Sequence, residues 1–560
     1  MTQHTRTVLL VALWVSCVLL VHGPCSMAAT SESPGPGTQV GGTYRRILHN
    51  NPPTLDPTLT VDIYSRVVVR QLFDGLVQFD AHLNPTPAIA EFWEASQDRR
   101  TWTFSLRHGV LFHHGREVTA DDFTYSFTRL LKAAKPGPLT DVFRRIQGAD
   151  DFLRGQADRV QGLRAVDRYT LQIVLEEPFA PLLAALGLAN TAAVPREIVE
   201  QQGEQFARAP VGTGPFKFVR WEPDKEIVLQ ANDQYYEGRP FLDTVVFKIG
   251  GTFEENFVDF LKGNLEEALI PSGKTDEVRT DPQYQKFQIV LKPTLSLLYI
   301  GFNTRHKPFD DKRVRQAFNY AVNKEAIVRD ITKMGSLPAT GALPPGMPGH
   351  DPDLRGYDYN PTKARQLLAE AGYPNGTGFP VVELCTTSKA ESAKAELAAY
   401  QRYLAEIGVR VDIRFEHDWP TYLKMLEQGQ CPMYRLSWSA RIPDPDDSLW
   451  PLLHSKNHRV TNHMFYHNPR VEALLEQARQ VFDLTQRIAL YREVEQLVMA
   501  DAPWITQHYS ALSQHLYQPY VRGTEVSLLG DWAVLMKQIW FEKRRPEDLQ
   551  RTTPDVQPRQ

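Results

Sequence analysis

The sequence predicts an α/β protein of two or three domains, and three observations carry that reading. At 560 residues the chain is too long for one hydrophobic core. From Pro361 onward, strand-like and helix-like stretches alternate. Within that region Met433–Asp447, MYRLSWSARIPDPDD, passes from an alternating strand into a turn rich in Pro and Asp. Arg435 and Arg441 flank Trp438 there, three residues to either side. An aromatic plane with charge on both sides, at the carboxyl end of a strand, suits a ligand seat. The other reading is an edge strand running into a surface turn.

Composition narrows the function classes. Hydrophobic residues at 42%, charged at 23% and aromatic at 10% are ordinary globular values. A formal net charge of −4 argues against a nucleic-acid partner, which would call for a basic footprint. At the N-terminus His4 and Arg6 precede the apolar run Val8–Val21, and small Ser26 and Ala28 suit cleavage after Ala28. Residues 1–28 therefore read as an export signal, which places the mature chain in the periplasm. The run is short for a bilayer span, so a retained anchor is the weaker reading. Cys25 invites lipidation, but Gly23–Pro24 before it make a poor acceptor site.

Cys17 and Cys25 lie in or beside the signal, leaving Cys385 and Cys431 in the mature chain. On parallel neighbouring strands their sulfurs would be separated by several residues of rise, too far for a disulfide. Two free buried thiols are expected, with no zinc site, no other metal and no cofactor.

Taken in order, residues 29–40 are a Pro/Gly/Ser leader. Gly42–His49 alternates as a strand, and Ser65–Leu76 has helical spacing with Ser65 as its N-cap. Trp102–Leu106 is a strand, and HGVLFHHG (His108–Gly115) a second strand and turn. Thr119 caps a helix whose first turn holds Asp121 and Asp122. Tyr169–Leu175 is a strand, Pro178–Leu188 and Pro195–Gln202 are short helices, and Gly212–Val219 is a glycine turn feeding a strand. Glu226–Leu229 and Asp243–Ile249 are strands, and Glu254–Lys262 is a helix. Ser296–Phe302 is a strand crossing into a second domain, followed by a long helix over Asp310–Asp330. Pro361–Ala371 is a helix stopped by Gly372. Strand Pro380–Cys385, helix Ser388–Ile407, strand Arg410–Phe415, helix Trp419–Gln428 and strand Met433–Trp438 then alternate. Helices Pro469–Phe482 and Thr485–Met499 follow, Trp504–Tyr509 is a returning strand, and residues 544–560 are a polar, disordered tail.

Several stretches form a recognisable set in this order: PPTLDP (Pro52–Pro57), LFDGLVQFD (Leu72–Asp80), PTPAIAEFWEASQD (Pro85–Asp98) and TFSLRHGVLFHHGREVTADDFTYSFTR (Thr103–Arg129). They continue with VGTGPFKFVRWEP (Val211–Pro223), NDQYYEGRPFLD (Asn232–Asp243), FNTRHKPFDDKRVRQAFNYAVNKEAI (Phe302–Ile327), YDYNPTKARQLLAEAGYPNG (Tyr357–Gly376) and IGVRVDI (Ile407–Ile413). With these the chain resembles the periplasmic oligopeptide/dipeptide-binding proteins of ABC importers, the family 5 extracellular solute-binding proteins, over roughly residues 41–540.

The resemblance implies a two-lobed periplasmic-binding-protein fold, cluster C-like, with the ligand in the cleft between the lobes. Lobe 1 would be 41–295 plus 506–543, with an extra subdomain at about 58–170. Lobe 2 would be 296–505. The protein would close over a peptide or another small carboxylate-bearing solute and deliver it to a membrane permease, working as a monomer and without catalysis. Ser437, Trp438, Ser439 and Ala440 match the strand that pairs with the ligand's backbone. Relatives place an aspartate for the peptide's α-amino group shortly after that tryptophan; here the position is Arg441, which reverses the charge. Asp444 and Asp446 stand near enough to replace that carboxylate or to pair with Arg441. Arg435 matches an arginine directed at a ligand carboxylate. Asn51 and Pro52 match a loop lying against the ligand, with Asn51 where one relative has an acidic residue. His508 and Tyr509 match a crossover that lends the pocket an aromatic, hinge packing being their other reading.

Other suggestive residues read as structural. His113–His114 suit a strand-to-turn position better than a metal site. Gly212–Thr213–Gly214 leads into a strand and lacks the Lys-Ser/Thr of a phosphate loop. The alternatives to a transport receptor are a ligand-sensing module for a signalling partner and an exported hydrolase. No G-x-S-x-G, HExxH or Ser-x-x-Lys signature with supporting context favours the hydrolase.

Overall fold

The computed structural model describes residues 38–542, except 61, 133–137, 272, 333–335, 389–390, 417, 510–512 and 531–532. The export signal with its cleavage site, most of the leader and the tail from 544 lie outside the described residues.

The N-terminal half is built on a four-stranded sheet. Thr43–Leu48 runs parallel to Thr244–Ile249, and the sheet continues antiparallel through Glu226–Ala231 to Phe216–Glu222. Alternate residues Tyr44, Arg46 and Leu48 are buried, as the two-residue period of a strand demands. The helix behind it spans Ile63–Leu72, not Ser65–Leu76. Asp62 is its cap: the carboxylate accepts the Ser65 N–H at 2.9 Å, so Ser65 lies inside the first turn. The helix stops at Leu72 because the glycine turn crosses its end. Gly214 N–H donates to the Leu72 carbonyl at 2.9 Å, and a Cβ on Gly212 would lie 2.0 Å from that oxygen. His113 clamps the turn with both ring nitrogens. Nδ1 accepts from Gly212 N–H at 3.2 Å and Nε2 donates to the Gly214 carbonyl at 3.1 Å, which fixes a neutral tautomer. Burial holds its pKa down at about 4.

A second, antiparallel sheet orders Ala90–Ala95, Thr101–Leu106, Thr170–Val174 and Leu163–Asp167. It packs on helix Ala120–Leu131 around its own core, drawn from Leu76 to Ala193, with Phe104, Phe123, Phe127 and Ile173 fully buried. The helix begins as read: the Thr119 backbone N–H and hydroxyl both donate to the Asp122 carboxylate, at 2.9 and 3.1 Å. HGVLFHHG forms no strand beyond the single bridge Leu111–Glu117, because Gly109 and Gly115 take left-handed turns at φ 74° and 96°.

The C-terminal half centres on a six-stranded mixed sheet in the order Leu337–Pro338, Trp504–Tyr509, Ser296–Phe302, Met433–Ser439, Val382–Thr386, Val411–Phe415. One face packs on helices Lys312–Ala321, Pro361–Glu370 and Glu391–Ala405 through Ile300, Phe302, Phe318 and Leu384. The other sends Tyr299, Tyr434 and Trp504 into the largest core. Asp310–Asp330 is not one helix. Val322 is extended, Asn323 caps a new turn at Lys324–Ile327, and a π-type segment follows at Val328–Thr332. The Pro/Asp turn after Met433–Ser439 contains a helix, Asp446–Leu453, with Pro451 inside it. Strand Trp504–Tyr509 pairs wholly within this sheet. The next strand, Ser513–Tyr517, pairs with Glu267–Leu269 and Gln288–Lys292. The chain thus leaves the six-stranded sheet after Tyr509, rather than at 506.

Glu495, on helix Leu484–Asp501, ties down the loop after Leu337–Pro338. It is 2% exposed and accepts the N–H groups of Ala342 and Leu343 at 2.8 and 2.9 Å. Burial, opposed by those two bonds, raises its pKa from 4.5 to about 7. The folded state thus binds the proton more tightly than the unfolded state. The stabilisation is complete below pH 4.5 and is lost as pH rises towards 7, by roughly 3 kcal/mol. Glu495→Gln should remove that slope; calorimetric melting between pH 4 and 8 showing the same slope in both proteins would refute it.

Candidate functional site

Strand Met433–Ser439 lies inside the six-stranded sheet but is bare along part of one edge. It pairs with Ser296–Phe302 over its whole length, from Phe302–Met433 to Ser296–Ser439. On its other edge only Met433 and Tyr434 pair, with Leu384 and Cys385. Beyond Tyr434 no described strand meets that edge. The Arg435 carbonyl points that way, since it accepts the Tyr422 hydroxyl at 2.8 Å. Ala440 N–H points the opposite way, to Leu295 at 2.8 Å. Strand geometry alternates, so the N–H and C=O of Ser437 and Ser439 project from the bare edge. Both serines are exposed, and Ala440 is buried.

The predicted site residues divide between the two faces of this sheet. Trp438, Leu297 and Tyr509 lie opposite one another on one face. Ser437, Leu298 and His508 lie opposite one another on the other, which Arg435 shares. Backbone at the strand edge, rather than side chains, is what the two sets have in common.

Both arginines already hold carboxylates. Arg435 grips Glu396 with Nε and Nη2 at 2.9 and 3.1 Å, and Glu396 is 1% exposed. Arg441 pairs with Asp447, not with Asp444 or Asp446: its backbone N–H donates to Oδ2 at 2.6 Å and its guanidinium to Oδ1. Asp444 is held at two 2.7 Å contacts by Arg487, and Asp446 at 2.7 and 2.9 Å by Arg479. None of these three carboxylates is left for an ammonium group, and the Arg441 charge is matched at contact distance.

Trp438 is oriented by the same helix. Pro451 has no N–H to give the carbonyl of Asp447, four residues earlier. That carbonyl instead accepts the Trp438 indole N–H at 2.9 Å. The Arg441 guanidinium carbon stands 5.6 Å from the indole centroid.

The remaining predicted residues have partners or burial of their own. Asn51 exchanges hydrogen bonds with Asp224, its side-chain oxygen accepting the Asp224 N–H at 3.0 Å, and Pro52 is buried. His508 is 9% exposed; burial, then the Arg435 charge, lower its pKa to about 4, so it stays neutral. The Tyr509 hydroxyl accepts Gly341 N–H at 2.9 Å.

A cavity lies away from the residues picked from the sequence. A cavity of about 210 Å³ opens between the end of strand Thr43–Leu48, helix Ile63–Leu72 and helix Phe253–Leu261. It is lined by Leu48, Ile63, Tyr64, Phe253 and Leu269, with Arg46 and Glu267 among them. The His49 and Phe253 rings in its lining stand 4.0 Å apart, tilted by 33°. The same helix carries Arg66, within electrostatic reach of Arg441 and Asp447. Its pKa is lowered by burial and by Arg441, against the opposing pull of Asp447 and Asp62.

Comparison with known proteins fits this geometry. Residues 84–459 match the model of the bacterial extracellular solute-binding proteins, family 5. The chain is 31% identical to heme-binding protein A of Haemophilus influenzae, over 92% of this chain and 97% of that protein. It is 28% identical to the dipeptide-binding protein of Escherichia coli, over 82% and 87%. An ABC transporter-associated periplasmic binding protein from Helicobacter pylori, solved with the peptide STSA, superposes with a TM-score of 0.75 at 27% identity, covering 90% of this chain and 99% of that one. The fold is the two-lobed α/β architecture of periplasmic binding proteins. The chain belongs to the bacterial extracellular solute-binding proteins, family 5.

Proposed function

We propose that this protein is the periplasmic receptor of an ABC importer and takes up an extended, peptide-like solute. The observation that carries the reading is the bare edge of strand Met433–Ser439, where Ser437 and Ser439 offer backbone donors and acceptors. An extended ligand adds to such an edge as one more strand. Trp438 and the apolar cavity beside helix Ile63–Leu72 supply side-chain walls. Lobe 1, residues 41–295 and 510–543, closes on lobe 2, residues 296–509, and the closed form docks on a membrane permease. The receptor acts as a monomer and performs no chemistry on its ligand. Arg435 and Arg441, neutralised by Glu396 and Asp447, shape the pocket rather than anchor an anion.

Asp444, Asp446 and Asp447 are each held by an arginine, so calorimetry should show that free and N-acetylated peptides of two to four residues bind alike. Strong preference for the free amine would overturn the reading of Asp444, Asp446 and Asp447. Failure of every peptide to bind would overturn the peptide assignment itself.

A further inference from the structure

We propose that Arg479 and Phe482, where helix Pro469–Gln480 turns into helix Leu484–Asp501, latch lobe 2 onto the antiparallel-sheet part of lobe 1 and so stabilise the closed receptor. The proposal rests on the two-lobed receptor reading above. Phe482 packs against the core of the antiparallel sheet. Its ring centroid is 6.2 Å from that of buried Trp102, and the Arg99 guanidinium carbon lies 5.3 Å from it. The Arg479 carbonyl accepts the Ala180 N–H at 2.7 Å. The Arg479 guanidinium carbon is 3.3 Å from the ring centroid of Trp450, in its own lobe, and 5.4 Å from that of Phe179, in the other. Asp141 of lobe 1 reaches Arg479 Nη1 at 3.8 Å. The same carboxylate stands 3.7 Å from Arg145, which lies over Phe179 and carries the same charge as Arg479.

None of these contacts needs a ligand atom. Arg479 is 5% exposed, Phe179 1% and Trp102 4%. Opening the cleft would break the Ala180 bond and wet the arginine face and the rings against it. Burial of these groups therefore favours closure by itself, and a solute that needs the closed form binds more tightly as that form becomes more populated. One helix joins the latch to the candidate ligand strand. Asp446 and Asp447 are consecutive at the start of helix Asp446–Leu453. Asp446 grips Arg479 at 2.7 and 2.9 Å. Asp447 holds Arg441 and gives its carbonyl to the Trp438 indole. Latch and strand end are thus fixed to adjacent residues of one element.

The test reads closure with no solute added. Glu177 and Gln480 are exposed, one on each lobe, and close in sequence to Ala180 and Arg479. In a parent protein carrying Glu177→Cys and Gln480→Cys, bismaleimidohexane links the two thiols only while the lobes are together. Peptide mass spectrometry gives the linking rate, divided by each thiol's own rate with N-ethylmaleimide. Adding Phe482→Ser should slow linking roughly threefold or more, and Phe482→Leu should slow it less. Adding Asp141→Lys, which changes an exposed side chain that the fold does not need, should slow linking too, and salt should weaken that effect. Equal rates in the parent and both Phe482→Ser and Asp141→Lys would overturn the latch, as would a parent that does not link. Failure of peptides in calorimetry would strike the receptor reading and leave these rates as they are.

Discussion

Replacing Asp444 by Asn should destabilise the second lobe by about 3–5 kcal/mol, the usual loss when one partner of a buried ion pair is removed. Asp444 and Arg487 are 6% and 7% exposed. Both carboxylate oxygens meet the guanidinium at 2.7 Å, and Arg487 Nε also donates to the Ala478 carbonyl at 3.0 Å. Burial is the largest single influence and would lower the Arg487 pKa, but the Asp444 charge and hydrogen bonds, together with Tyr491 and Asp446, outweigh it and the net shift is upward. Asparagine keeps the size and removes only the charge, leaving a guanidinium in a dry site. Replacing both partners, Asp444→Leu with Arg487→Met, should recover most of the loss, because the desolvation of two charges disappears with their attraction. Urea unfolding measures the three proteins. A single-variant loss below about 1 kcal/mol would mean that the pair behaves like an exposed one.

Ser437→Pro should lower the affinity for peptide at least tenfold while the lobe still folds. The Ser437 N–H points away from Ser296–Phe302, so proline removes no ladder bond there, and its ring fills the space a ligand backbone would occupy. Leu436→Pro is the contrast. Its N–H points into the pairing with Tyr299, and its loss should break the sheet. N-methylating successive peptide amides gives a reciprocal test that leaves the protein untouched. Unchanged affinity in folded Ser437→Pro, with no N-methyl position mattering, would remove the strand edge from the binding site.

Much of the fold was legible because it is written in local periodicity. Ser296–Phe302 and Trp504–Tyr509 fall on the residues read as strands, and Thr119 caps its helix with Asp122 as expected. The misreadings have local causes too. Pro445 and Pro451 disguise helix Asp446–Leu453 as a turn, although Pro451 is what leaves a carbonyl free for Trp438. Asp62 outcompetes Ser65 as a cap because its carboxylate reaches the Ser65 N–H. The site was legible as a stretch but not as an arrangement. Trp438, Ser437 and Ser439 lie on a strand, as read. The partners that neutralise Arg435, Asp446 and Asp444 stand 39, 33 and 43 residues away, and no short spacing announces them.

The order of the six-stranded sheet has a consequence for how the molecule comes into being. Strand Ser296–Phe302 is flanked by Met433–Ser439 and Trp504–Tyr509. Its neighbours are thus more than a hundred and about two hundred residues later in the chain. The sheet cannot assemble until synthesis has passed Tyr509, and pairings of such separation form slowly because large loops must close first. A chain bound for export has to cross its membrane before it folds. Here the delay is supplied by topology: the segment that completes the six-stranded sheet is among the last to emerge.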